Sequence, residues 1–372
     1  MHVLVTADTI SGTWAYVREL VTGLVTRGVR VTLVSFGEIP WSEQTAWMDS
    51  LYGLDYRPTA FRLEWMQEAQ EDLPVSSAFL VDLIRDVCPD VVHLNQFCYG
   101  NLPVDVPKIV MAHGDVITWG EAVEGYRPRL SPWLRWYRDT VMRGISGADA
   151  LIAPSAWMLA EIRRWYGRGQ NEEVIYPGRN PIFFNPYISK EDSVLAIGRL
   201  IDAGKQVTLL TQCVHPLPVC IVGADQTVPA SQVSIRADVK VATDESNLVI
   251  RGAQTEAQLR ALYSRSSIYA ATARYEPLGM NQLGAAFSRC AIVANDTPAF
   301  REIWGDAALY FRTNDARSLA ECIRELSQDR EMCRAYANLA YGRARERFSA
   351  KQMIDEHLEL YRSLNSARVE AA

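Results

Sequence analysis

Short apolar runs alternate with amphipathic helical stretches along this chain, in two series separated by a segment rich in Pro, Gly and Asn. His2-Val-Leu-Val-Thr6 reads as a buried strand, Trp14 to Arg27 as an amphipathic helix and Val29 to Phe36 as a second strand. Further strands are predicted at Val91–Leu94, Lys108–Ala112 and Leu151–Ala153, with helices near Ser77–Val87, Pro132–Ile145 and Ser155–Tyr166. Strands joined through helices are parallel, because each crossover returns the chain to the end of the sheet from which it left. A doubly wound parallel sheet is the expected architecture.

The divider is Tyr176-Pro-Gly-Arg-Asn-Pro-Ile-Phe-Phe-Asn-Pro186. Beyond it the α/β theme resumes, with strands at Ser193–Gly198, Val219–Val222, Leu248–Arg251, Ser267–Ala271, Ala291–Ala294 and Leu309–Phe311. Helices near Ser318–Glu325, Glu331–Arg347 and Lys351–Leu364 close the chain. A length of 372 residues is too great for one comfortable core and suits two α/β domains. The predicted division is an N-terminal domain over 1–186, a C-terminal domain over 187–350 and a final helical segment over 351–372.

Composition narrows the function classes. A formal net charge of −6 argues against a general nucleic-acid binder, which needs a large basic surface. The seven cysteines are scattered without a CxxC pair and mostly in apolar surroundings, so buried free thiols in a reducing cytoplasm are expected. The Met1–Thr6 strand lacks the charged start and long apolar run of a signal peptide, and no uninterrupted apolar stretch is long enough for a membrane span. The loop Ala7-Asp-Thr-Ile-Ser-Gly-Thr13 contains no GxGxxG, which disfavours a dinucleotide dehydrogenase. No DxD, HxxxH or HExxH spacing suggests a metal site, and no GxSxG suggests a serine hydrolase.

Two segments carry the chemistry. Ala273-Arg-Tyr-Glu-Pro-Leu-Gly-Met-Asn-Gln-Leu-Gly-Ala-Ala286 places Glu276 just before a glycine-led turn that opens into a helix, where backbone N–H groups and the positive end of the dipole suit a phosphate. Gly198-Arg-Leu-Ile-Asp-Ala-Gly-Lys205 places Arg199 at a strand end and Lys205 in the first turn of an expected helix, so that both cations could meet a diphosphate. Spacing alone gives equal standing to the plainer arrangement, with Arg199 paired to Asp202 and Lys205 solvated. His113 follows the strand Lys108–Ala112 and therefore lies where doubly wound folds place ligands, and Asp115 is a second, weaker candidate there.

These motifs together resemble the GT-B glycosyltransferases of the family 4 (group 1) type, over nearly the whole chain. The resemblance rests on the opening βαβ, His113, Ala153-Pro-Ser155, the Tyr176–Arg179 turn, Gly198–Lys205 and Ala273–Phe311. It implies two Rossmann-like doubly wound domains facing a cleft, the C-terminal one binding a UDP- or GDP-linked sugar and the N-terminal one an acceptor. It further implies a final helix that crosses back to the N-terminal domain. The implied reaction is metal-independent hexosyl transfer with retention to a glycan, lipid or small-molecule acceptor, as in polysaccharide biosynthesis. By the same resemblance Arg199 and Lys205 neutralise the leaving diphosphate, Glu276 and His113 contact the sugar, and the main chain of Gly279, Met280 and Asn281 holds phosphate. Gly12 approaches the pyrophosphate and Arg251-Gly252-Ala253 the base. The family carries a second Glu at the position of Gly284, where it binds ribose; here Gln282 or Asn281 could take over, or activity could be lost.

Two further readings therefore stand beside the transferase, a non-catalytic GT-B subunit or binding protein and a sugar-nucleotide epimerase of the same fold. The stretch 127–145 holds Arg127, Arg129, Arg135, Arg138 and Arg143 among Trp133, Trp136 and Tyr137, while Leu134, Tyr137, Val141 and Ile145 share one face. A core helix with a solvated basic face is favoured there over peripheral contact with the inner membrane surface. Trp14, Trp119 and Tyr126 could stack on a sugar acceptor or belong to the core.

Overall fold

The computed structural model describes residues 1–223 and 247–371. The chain forms two compact units, Met1–Gly178 with Ala350–Ala372, and Arg179–Ser349. The division falls before Arg179 rather than after Pro186. Arg179 is 1% exposed, and its backbone amide donates to the Phe348 carbonyl at 3.1 Å, so the turn-rich segment that follows is already part of the second unit.

The first unit contains strands β1 (His2–Asp8), β2 (Arg30–Phe36), β3 (Leu54–Pro58), β4 (Val91–Leu94), β5 (Lys108–Met111), β6 (Ala150–Ala153) and β7 (Glu172–Val174). They form one parallel sheet in the order β3-β2-β1-β4-β5-β6-β7. All seven residues of β1 are buried, as a strand covered by helices on both faces requires. The edge strands β3 and β7 carry Asp55, Arg57, Glu172 and Glu173, charges that discourage edge-to-edge pairing and also break the apolar pattern that would reveal a strand.

Helices α1 (Thr13–Thr26), α2 (Ser42–Thr45), α3 (Ala69–Val87), α4 (Val116–Glu124), α5 (Pro132–Gly147) and α6 (Ala156–Tyr166) complete this stretch. In α5 the residues Leu134, Tyr137, Val141 and Ile145 are buried. Its arginines find local partners, Arg138 with Asp139 and Arg135 with the Leu130 carbonyl.

The second unit has strands β8 (Glu191–Ile197), β9 (Val219–Val222), β10 (Leu248–Arg251), β11 (Ser266–Ala271), β12 (Ala291–Asn295) and β13 (Leu309–Phe311). These too are all parallel, in the order β10-β9-β8-β11-β12-β13. Helices α7 (Glu256–Arg265), α8 (Met280–Phe287), α9 (Pro298–Trp304), α10 (Ala316–Gln328) and α11 (Arg330–Arg347) accompany them. Thr255 starts α7 with a reciprocal capping box to Gln258. The core beneath β8, β11 and β12 joins Val194, Ala196, Ile268, Ala270 and Val293 to Leu319 and Ile323 of α10.

Helix α12 (Ala350–Ala371) belongs to the first unit and lies against α1. Among the described residues no helix is long and apolar enough to cross a membrane. All seven cysteines are free, but only Cys290 and Cys322 are buried and Cys88 is exposed, so burial is less general than expected.

The α1–α12 approach is close because Gly23 has no side chain: a Cβ there would fall 1.8 Å from Ile354 Cδ1. Gly23→Ala is expected to cost about 1–3 kcal/mol of stability through overpacking. Ile354→Val removes the offending methyl, so urea denaturation should show the Gly23→Ala penalty shrinking in that background. Fully additive penalties would contradict this packing.

Candidate active site

In the second unit the strand order reverses between β8 and β11, the place where open parallel sheets receive ligands at the carboxyl ends of their strands. The loops leaving these strands are joined there. The Arg274 amide donates to the Gly204 carbonyl at 2.8 Å, and the Thr272 hydroxyl to the Lys205 carbonyl at 2.8 Å. Lys205 is not in a helix. The Asp202 carboxylate accepts from the amides of Gly204 (2.9 Å) and Lys205 (3.2 Å), folding a turn, and the helical segment that follows is a 3₁₀ stretch, Val207–Thr211.

The joined loops bring Lys205 Nζ to 2.6 Å from Glu276 Oε2. Glu276 Oε1 accepts from the Gly279 amide at 3.1 Å, and Gln282 Nε2 lies 3.5 Å from Oε2. Burial alone would push the Glu276 carboxyl upward; the Lys205 ammonium and these hydrogen bonds outweigh it and hold the group below the usual carboxylate range. Gly279 caps α8 in the left-handed region at φ 68°, a conformation that costs glycine little. Its N–H is turned to Glu276, so of the three amides considered for phosphate contact, those of Met280 and Asn281 are the ones at the helix start itself.

Arg199 does not join this pair. Its side chain is 55% exposed and sits 3.9 Å from Asp202. Arg251 closes β10, an edge strand of the sheet, and the adjacent Gly252 and Ala253 carbonyls accept from the Gln254 side chain at 3.3 and 3.2 Å.

Gly284 has a packing explanation that the sequence did not suggest. It lies in α8 beside the buried guanidinium of Arg179 and the ring of Tyr263, and a Cβ at 284 would come 2.9 Å from Arg179 Nη1 and 2.8 Å from Tyr263 Cε2. Arg179 is held in place by Glu256, by the Met280 carbonyl at 3.4 Å and by the Phe184 ring, 4.6 Å below it. Glu256 is also bound by Arg260 at 3.1 Å. None of these contacts could be read from local spacing, since Arg179 and Gly284 are far apart in the chain.

In the first unit the strand order reverses between β1 and β4. Gly12 lies in the loop after β1, which Asp8 shapes by accepting from the amides of Ile10 (2.7 Å) and Ser11 (3.0 Å). Among the described residues, no atom beyond its chain neighbours lies within 4 Å of where a Gly12 Cβ would be, so the space before it is open. His113 follows β5 and is buried, with Nε2 against Asn95 Oδ1 and the edge of the ring against Tyr16, 4.6 Å between centroids. Burial, and to a lesser degree His357, lower its pKa to about 3, so the imidazole is neutral. Asp115 caps α4 by accepting from Ile117 and Thr118, both at 2.9 Å, and takes the Tyr166 hydroxyl at 2.6 Å, which accounts for it as a structural group. Trp119 and Tyr126 are 39% and 61% exposed, whereas the Trp14 indole donates to the Gln44 carbonyl and stacks edge-on with Trp47. Among the described residues, no three His, Cys, Asp or Glu side chains come together as a metal site.

Two parallel α/β units, each with one reversal of strand order, define a GT-B protein, and solved structures share this fold. The chain matches sucrose-phosphate synthase from Thermosynechococcus elongatus with a TM-score of 0.79 at 18% identity, over 99% of this chain and 100% of that one. It matches Anabaena HepE in complex with UDP-glucose with a TM-score of 0.75 at 16% identity, over 98% and 100%. The family model described as Glycosyltransferase Family 4 matches residues 10–182, and that described as Glycosyl transferases group 1 matches 179–343. The chain is a family 4-like glycosyltransferase. It is also similar to the alpha-maltose-1-phosphate synthase of Mycolicibacterium smegmatis, 24% identical over 307 residues, 74% of this chain and 76% of that protein.

The Gly284 packing yields a direct expectation. Although alanine is intrinsically better in a helix by about 1 kcal/mol, Gly284→Ala should lower stability by about 1–2 kcal/mol net, and Gly284→Glu by more. Thermal unfolding of both variants tests this, and a Gly284→Glu protein as stable as the parent would rule out the crowding.

Proposed function

We propose that this glycosyltransferase binds a nucleoside-diphosphate sugar at the β8–β11 switch point and transfers its hexosyl group with retention of configuration and without a metal. The Lys205–Glu276 pair beside the start of α8 carries the reading. A diphosphate arriving there meets an ammonium and two helix-terminal amides, while the carboxylate released from Lys205 becomes an acceptor for sugar hydroxyls. Lys205 thus neutralises the charge that grows on the leaving phosphate. Arg199, half exposed at the mouth of the same loop, supplies a second cation once a polyanion competes with Asp202. Gly12, with open space before it, admits the pyrophosphate, Arg251-Gly252-Ala253 lies along the base, and the neutral His113 binds a sugar hydroxyl.

UDP-glucose is the first donor to test, because HepE binds it within the same fold. The names of the sucrose-phosphate and maltose-1-phosphate synthases favour a phosphorylated sugar as acceptor over a lipid. A thermal-shift panel of UDP, GDP, ADP and TDP species, followed by transfer to sugar phosphates, examines both choices. Proton NMR of the product should show an α linkage from the α-linked donor; a β linkage would overturn retention. No stabilisation by any nucleotide would favour a binding module instead.

Lys205→Met should reduce kcat/KM by about a hundredfold or more, and leaving Glu276 buried without its cation should cost about 1–3 kcal/mol of stability. The wild-type pair stabilises the fold above the ordinary Glu value of 4.5, and this contribution is lost as pH falls through the lower folded value. Carbonyl ¹³C NMR should therefore show Glu276 titrating below 4.5 in the parent and above it in Lys205→Met. An unchanged titration would mean that the ion pair does not control the carboxylate.

A further inference from the structure

In the first unit three of the buried histidines, His93, His113 and His357, cluster with Tyr16 and Tyr361, and the hydrogen bonds fix where several of their protons lie. Asn95, just beyond the end of β4, is tied to β1. Its backbone amide donates to Thr6 Oγ1 at 2.9 Å and its Nδ2 donates to the Thr6 carbonyl. A carbonyl oxygen can only accept, so the NH₂ end of Asn95 is committed to Thr6 and Oδ1 is the end that faces His113 Nε2. Nε2 therefore carries the hydrogen, and Nδ1 of the neutral ring carries a bare lone pair. That Nδ1 is buried and has no partner among the described residues.

Tyr16 and His357 are occupied with each other, and the His93 ring is engaged with Tyr361 through Nδ1 alone. His357 Nδ1 donates to the Met353 carbonyl at 2.7 Å, so its Nε2 accepts, and the Tyr16 hydroxyl donates to it at 2.8 Å. Tyr16 thus offers His113 only its ring. His93 Nδ1 is joined to the Tyr361 hydroxyl at 2.7 Å. Burial lowers the pKa of both His93 and His357, so no charged imidazole faces His113. An acceptor left empty inside a protein is costly and calls for a donor from outside. His113 and Asn95 stand at the carboxyl ends of adjacent strands, next to the β1–β4 reversal where a ligand is received.

We infer that Asn95 is a positioning residue that fixes His113 as the Nε2–H tautomer, and that His113 Nδ1 accepts a hydrogen bond from a hydroxyl of the sugar substrate without itself taking a proton. This rests on the reading that the protein binds a nucleotide sugar. It adds the polarity of the contact: a substrate hydroxyl must donate, and an analogue with fluorine in its place cannot.

Long-range ¹H–¹⁵N NMR of the full chain labelled at histidine nitrogen tests it, with His113→Gln assigning the signals. The free protein near neutral pH should show His113 as Nε2–H, and saturating UDP-glucose should move Nδ1 upfield while Nε2 stays protonated. An Nδ1–H tautomer, an imidazolium or an unmoved Nδ1 at saturation would overturn the inference. Asn95→Leu should expose both tautomers and lower kcat roughly tenfold, the worth of one hydrogen bond, with KM little changed. Unchanged kcat with a scrambled tautomer would also count against it. If that variant does not fold, the parent spectrum still decides the tautomer. Failure of every nucleotide sugar to stabilise the protein would instead overturn the donor reading, and the substrate half of the inference with it, by a separate measurement.

Discussion

Each sheet reverses its strand order once, and the rest of the molecule depends on those two reversals. On either side of a reversal the crossover helices pack on opposite faces, so the carboxyl ends of the two central strands are left uncovered. Side chains there need not satisfy a core. In the second unit the uncovered place is filled by two loops tied to each other, which is why Lys205 and Glu276 meet although they lie far apart in sequence. In the first unit the Gly12 loop and Asn95 follow the strands that flank the reversal, and His113 follows the next strand.

The Lys205–Glu276 pair shows how such a place can keep charges in reserve. A buried carboxylate without compensation would take up a proton. Paired with an ammonium and two hydrogen-bond donors, it stays ionised at little net charge, and both partners are aligned before any ligand arrives. On the proposed reading, the cost of organising the site is met during folding, so less reorganisation would be left to the reacting complex.

Much of this fold was legible in the sequence because parallel strands buried on both faces are nearly continuous apolar runs. Val91–Leu94, Val219–Val222, Leu248–Arg251 and Leu309–Phe311 were delimited to the residue. The last two are edge strands that keep an apolar run, whereas the edges β3 and β7 carry charges that break the pattern and were not found. Local spacing pointed to the two loops and to His113 as candidates, and it gave an Arg199–Asp202 contact, which the structure has at 3.9 Å, equal standing with ligand binding. It missed Asn95, Tyr16 and His357, and likewise Glu256 and Tyr263, because these act through side chains from other elements. Asn95 had one visible signal, its place directly after a buried strand beside the polar His93.

Arg179 and Gly284 have a consequence for how this chain can change. Glycine at 284 is tolerated because a buried guanidinium and an aromatic ring occupy the volume beside it, and that guanidinium is in turn anchored by a carboxylate from α7. A side chain introduced at 284 meets an occupied space, while removal of Arg179 alone leaves Glu256 without that guanidinium and a hole beside α8. Each residue makes the other's replacement deleterious. The pair is therefore epistatic: a single substitution at either position carries a stability penalty whose size depends on what stands at the other, so the two positions are expected to change in concert rather than independently.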